Sequence, residues 1–255
     1  MSATAKAGKV LIRSINFCVD MFVLITILLL LAFGCYAMWD SNQIHNAASP
    51  MRYERYKPTI ENEGVTFKQL QALNPDVIGW LTVYGTNIDY PVVQGRDNIK
   101  YVNTNAEGRH SLSGAIFLDY RNNRDFMDFN SILYGHHMEN RVMFGEITSF
   151  SNTDYFNARR YGMLFVDGQS YGIEFFAFVH SDANDTQVFR VNINDYEAKQ
   201  NYLDLLMDMA TVTRDVSVTV DDNLILLSTC SPNSTNGRDI LVGRIISTVP
   251  DDPFV

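Results

Sequence analysis

Residues 21–39 are nineteen consecutive positions without a formal charge, dominated by Leu, Ile, Val and Phe. As a helix rising about 1.5 Å per residue, the run is long enough to cross roughly 30 Å of hydrocarbon. Lys6, Lys9 and Arg13 precede it, whereas Asp40 follows it and the next cations are Arg52 and Arg55. The positive-inside bias then puts residues 1–13 in the cytoplasm, a transmembrane anchor at 14–39, and the remainder outside the cell, a single pass of the cell membrane. A cleaved signal peptide is the competing reading, because its leading segment is also basic. Against it, the run exceeds the usual core of about 7–15 residues, and Cys35-Tyr36-Ala37 is a poor cleavage site. The anchor is the expectation.

The exterior part, 41–255, spans 215 residues, which suits one sizeable domain with a full core and no need of disulfide staples. Removing Lys6, Lys9, Arg13, Asp20 and Asp40 from the totals of 20 basic and 29 acidic residues leaves 17 and 27, a net charge of −10. That balance argues against nucleic acid as a partner, since phosphate binding relies on a basic footprint.

Residues 40–64 are polar, contain Pro50 and Pro58, and read as a stalk before a domain at 65–255. Phe67, Leu70 and Leu73 lie at helical spacing and end at Asn74-Pro75, where the proline pushes its predecessor out of the α region. The texture then changes to short runs of β-branched and aromatic residues at 79–84, 88–93, 115–120, 131–134, 162–166, 171–180, 216–220, 224–229 and 240–248. Asp167-Gly168 is a hairpin signal between two of them. One helix interrupts the series: Asn194 and Glu197 form a capping-box pattern, and Tyr202, Leu205, Leu206 and Met209 form its core-facing stripe. The sum is a mainly β domain, a sandwich or a barrel, carrying a few helices.

Cys230, at the end of the run Leu224 to Thr229, is the only one of three cysteines outside the membrane segment and its flank, so it has no exterior disulfide partner. Packing explains a strand-end cysteine as readily as catalysis does. A nucleophilic thiol needs a nearby histidine or a positive charge. The pair His136-His137 follows the strand 131–134 at Gly135, and Arg238 lies eight residues after the cysteine. Zinc is poorly served by His136 and His137, because neighbours on an extended chain face opposite ways and a structural site needs about four ligands. Residue types alone leave the catalytic and packing readings balanced.

Leu226-Leu227-Ser228-Thr229-Cys230 resembles the T-L-x-T-C signature of sortases, with leucine at 226 in place of the usual threonine. Gly237-Arg238-Asp239-Ile240-Leu241-Val242 is similar to the segment carrying that family's essential arginine. Tyr134-Gly135-His136, followed by Met143-Phe144, resembles the segment around its catalytic histidine. Ile78-Gly79-Trp80, 87–92 and Tyr101-Val102-Asn103 look like class B members. Loop 181–192 departs from the pattern, showing little likeness to the aromatic substrate-contacting segment of that class.

The resemblance implies a closed β-barrel of about eight strands with peripheral helices. It implies a membrane-anchored cysteine transpeptidase of a Gram-positive cell surface: Cys230 attacks the carbonyl after Thr in an L-P-x-T-G-like sorting motif, His136 transfers protons, and Arg238 holds substrate and oxyanion. Asn103, Tyr134, Ser228 and Thr229 are expected substrate contacts. The implied partners are surface proteins or pilins bearing the motif, and an amine acceptor on a peptidoglycan precursor or a pilin lysine. The chemistry requires no metal or organic cofactor. The alternatives are a non-catalytic adhesion or sensory domain, and a hydrolytic cysteine peptidase.

Overall fold

The computed structural model describes residues 3–58, 65–232 and 234–254. The chain divides into two compact units, Met1–Ile44 and His45–Val255. Helix α1 (Ala3–Ala48) contains the apolar run, and it is long and apolar enough to cross a bilayer. Its side chains from Leu11 to Trp39 are exposed.

The start of the second unit differs from the expected stalk. Pro50 ends α1 by forcing Ser49 into an extended conformation (φ −62°, ψ 134°), and two 3-10 turns follow at Pro50–Arg52 and Glu54–Tyr56. Tyr53 and Tyr56 are buried in the domain core. Arg52 and Arg55 bind Glu107 at 2.6 and 3.3 Å, and Lys57 binds Asp89 at 2.6 Å. Residues 48–58 are therefore part of the folded domain, held by two aromatic anchors too few for a periodic pattern to show. Residues 59–64 of the expected stalk lie outside the described residues.

Helix α2 (Val65–Leu73) lays Phe67 and Leu70 on the core. Nine strands follow among the described residues: β1 (Val77–Val83), β2 (Asp89–Val93), β3 (Ile116–Leu118), β4 (Asn130–Tyr134), β5 (Tyr161–Val166), β6 (Gln169–Asp182), β7 (Ala210–Thr213), β8 (Asn223–Cys230) and β9 (Gly237–Ile246). They form one sheet in the order β5-β1-β2-β3-β4-β8-β9-β6-β7, and pairing of β5 with β6 closes eight of them into a barrel. The Asp167-Gly168 turn makes that last hairpin, both residues having positive φ (51° and 80°) as a type I′ turn requires. Strand β7 extends β6 outside the closed ring.

Two short elements stand where the periodicity signalled otherwise. Residues 216–220 are not a strand; Val216, Val218 and Val220 pack as a loop against the second core cluster. The strand that extends β6 is instead β7, whose four residues are too few for period 2 to register. Between a 3-10 turn at Ile147–Ser151 and β5 lies α3 (Thr153–Ala158), and between β6 and β7 lies α4 (Tyr196–Met209). The N-cap of α4 is Asp195, not Asn194, its carboxylate accepting from Ala198 N at 3.0 Å.

Strand β8 is buried on both faces. Ile225 and Leu227 join the larger core with Leu133 and Leu241, while Leu224 and Leu226 join a second cluster with Ile132, Ile240, Val242 and the α4 residues Tyr202, Leu203 and Leu206. Two-sided burial is why this strand reads as an unbroken apolar run.

Candidate active site

The ends of three adjacent strands deliver the candidate residues to one face. Strand β4 runs parallel to β8, with Ile132 opposite Leu226 and Tyr134 opposite Ser228. Strand β9 runs antiparallel to β8, with Ile240 opposite Ser228 and Arg238 opposite Cys230. Because side chains alternate along a strand, Cys230 and Arg238 share the face of Leu226, Ile240 and Val242, the face that α4 covers further down. The chain leaves β4 on the same side with His136, two residues beyond Tyr134. Cys230 is exposed and in no disulfide.

The neighbouring bonds hold the histidine in place. Gly135 N donates to Ser228 O at 3.2 Å, extending the β4–β8 ladder one step beyond the strand. Thr229 Oγ1 donates to Gly135 O at 2.8 Å. His136 Nε2 lies 2.8 Å from Val102 O. A carbonyl can only accept, so Nε2 carries a proton and Nδ1 is the nitrogen left to act as a base. His137 turns the other way, its Nδ1 3.3 Å from Thr148 Oγ1.

These groups open onto a cavity of about 440 Å³ whose lining includes Cys230, His136, Arg238, Tyr134, Phe117 and Phe189. Phe117, Tyr134 and Phe189 supply its aromatic wall, alongside Val102, Ala183 and the polar groups of Asn98 and Arg121. A thiol, an imidazole and a permanent cation at the head of an apolar cleft can support acyl transfer: nucleophile, proton carrier and oxyanion partner.

The sortase domain family model matches residues 81–246. The chain belongs to the sortase family. Sortase B of Listeria monocytogenes is 32% identical over 182 residues, covering 71% of this chain and 74% of its own. The crystal structure of sortase B from the type II pilus of Streptococcus pneumoniae is 46% identical, with a TM-score of 0.63 over 71% of this chain and 99% of that one. A class B sortase of Streptococcus pyogenes involved in pilus biogenesis is 40% identical, with a TM-score of 0.66 over 72% and 99%. This chain is accordingly a class B-like sortase, a cysteine transpeptidase.

Of the remaining expected residues, this sortase brings Tyr134, Ser228 and Thr229 to the cavity lining, but Asn103 is not there. Asn103 is exposed and its carbonyl accepts from Ser111 N; its neighbour Val102 lines the cavity instead. Ser228 Oγ is buried with no hydrogen-bond partner among the described residues.

A charged network under the cleft escaped the sequence reading. Asp119, fully buried, accepts from Arg121 Nε (2.8 Å) and Nη2 (2.7 Å), from Asn98 Nδ2 (2.9 Å) and from the Tyr134 hydroxyl (3.1 Å). Burial opposes the charge on Asp119, but the Arg121 and Asn98 bonds outweigh it and hold the carboxyl below its ordinary value. Burial, and then Asp119, push the Tyr134 phenol up, so it stays a neutral donor. Arg121 Nη2 also donates to Phe189 O at 3.1 Å, fixing a ring that packs 6.2 Å from Tyr134. Phe189 belongs to the loop 181–192, which thus supplies one aromatic wall despite its unfamiliar sequence. A lone Asp-x-Arg between two short strands carries no signal that would single it out from surface charge.

Proposed function

We propose that this sortase is anchored in the cell membrane by α1, with residues 1–13 cytoplasmic and the barrel outside, and that it joins pilin subunits. The convergence of Cys230, Arg238 and His136 on one face of β4, β8 and β9 carries the catalytic part of this reading. The Cys230 thiolate attacks the carbonyl carbon of the threonine in a sorting signal. The C–N bond breaks, and the leaving amine takes a proton from His136. Arg238 stabilises the oxyanion formed on the way. An incoming amine, its proton passing to His136, then attacks the thioester; the C–S bond breaks and the thiolate returns.

The choice of pilin rests on likeness: the two relatives described as pilus sortases are 46% and 40% identical, against 32% for the Listeria enzyme. The test is full-length protein in detergent incubated with pilin subunits bearing the sorting signal. A ladder of covalent multimers dependent on Cys230 supports polymerisation. Monomeric pilin coupled only to a peptidoglycan-like amine would make it a wall-anchoring enzyme, and cleavage indifferent to any amine would make it a peptidase.

A further inference from the structure

The loop that follows His136 is held in an unfavourable conformation. Asn140, Arg141 and Met143 all have positive φ (59°, 58° and 53°), a region that side chains other than glycine occupy at steric cost. Such a loop keeps its shape only where its surroundings overdetermine it. Met143 forms an isolated bridge with His137, and Phe144 N donates to His136 O at 3.0 Å, so the position of 143–144 sets the backbone of the histidine. Gly145 packs so closely that a Cβ there would lie 2.0 Å from Met138 O.

One hydroxyl holds this loop from below. Tyr90, 1% exposed on β2, accepts from Met143 N at 2.9 Å and donates to Ala48 O at 2.9 Å. Ala48 is the last residue of α1, and Tyr53, five residues on, sets its ring edge-on to Tyr90 with centroids 6.5 Å apart. The phenol therefore uses both its donor and its acceptor capacity to tie the segment after the apolar helix to the histidine loop. Met143 itself is buried, so without Tyr90 its amide has no solvent to turn to.

We infer that Tyr90 is a positioning residue for catalysis: its hydroxyl fixes the 138–144 loop, and through it His136, relative to Cys230. The inference rests on the catalytic role proposed for His136. Tyr90→Phe keeps the ring and removes the link. A small displacement of a proton carrier costs up to about a hundredfold in rate, so kcat is expected to fall about 10- to 100-fold while KM for the sorting peptide stays within about twofold.

The experiment uses the full-length chain in detergent, a peptide carrying an L-P-x-T-G-like signal and a primary amine, with Tyr90→Phe and His136→Ala assayed side by side. A fall in kcat at constant KM, with a displaced pH–rate profile, supports the inference; a purely structural role would lower the melting temperature and leave both unmoved below it. If His136→Ala is inactive and Tyr90→Phe has the kcat and pH profile of the parent, the inference is wrong while the histidine reading stands. If His136→Ala is active, the histidine reading falls first. Should Tyr90→Phe not fold, amide exchange of the unmodified chain decides: protection of Met143 N–H at the level of β4 supports the link, and exchange at the rate of an open loop overturns it.

Discussion

Cys230 and Arg238 are directly opposed across the antiparallel pair β8 and β9, eight residues apart in sequence and the last pair of the ladder. Backbone pairing thus sets the two residues side by side on one face of the sheet, where both line the cavity, and the Arg238 Nη1 donates to Gly237 O at 3.0 Å. Arg238→Ala is expected to lower kcat by about 10²–10³, the usual cost of an oxyanion donor. Arg238→Lys should recover only part of that, since an ammonium keeps the charge and loses the planar fork. Transpeptidation kinetics measure both; unchanged kcat in the alanine variant would remove Arg238 from the chemistry.

The two adjacent histidines separate by environment. His136 lines the cleft and is oriented by Val102 O, whereas His137 faces Thr148. We expect His136→Ala to abolish turnover and His137→Ala to retain most of it. Equal loss in both variants would mean the imidazoles act together or that His137 is the proton carrier.

Asp119 supplies an acid-sensitive prop beneath the cleft. Its folded carboxyl lies below the ordinary value, burial opposing the charge and Arg121 overcoming it. The stability it contributes is therefore complete above the unfolded value of about 3.9 and is lost as pH falls through the folded value. Asp119→Asn should cost about 2 kcal/mol at neutral pH, and the difference from the parent should shrink in urea melts at about pH 3. A penalty independent of pH would show that shape, not charge, matters at this position.

Gly145 has no room for a side chain. Its missing Cβ would meet Met138 O at 2.0 Å and Val142 O at 3.0 Å, both backbone atoms that cannot rotate away. Gly145→Ala is expected to destabilise the domain by about 1–3 kcal/mol, the range for overpacking, and to depress activity by shifting the histidine loop. Thermal melting together with residual turnover checks it; a neutral outcome would mean the loop relaxes freely.

The folded domain begins before residue 65. Tyr53 and Tyr56 are buried, and Arg52 is ion-paired to Glu107. A chain starting at residue 46 should melt well above one starting at 65, and Tyr56→Ala alone should cost about 3–5 kcal/mol, as other buried aromatics do. Equal melting temperatures for the two truncations would assign 48–58 to a dispensable linker.

Much of the architecture was readable because its causes are local. The continuous apolar run of β8, the Asp167-Gly168 turn and the stripe of α4 each follow from burial pattern or turn stereochemistry within a few residues. Strand β7 leaves no mark in the pattern, and residues 216–220 and the N-cap of α4 differ from it, for the converse reason. Four residues carry too little period, a valine-rich loop imitates a strand, and Asn194 and Asp195 both have the chemistry of a cap, so only the helix's path separates them.

By itself the sequence determined that an apolar helix precedes a mainly β domain, that one of the three cysteines lies apart from the apolar segment and its flank, and that His136 and Arg238 are its candidate companions. These conclusions need only residue types, spacing and motif likeness. Tertiary structure decided which side chains share a face: the parallel pairing of β4 with β8 brings His136 to Cys230 from nearly a hundred residues away, and register sets Arg238 opposite the sulfur. It also decided the hydrogen-bond partners of Asp119, Phe189 and Tyr90, which lie far away in the chain or in a separate element. Register and closure are properties of the whole barrel, fixed by burial on both faces of its strands, and no local window of sequence contains them.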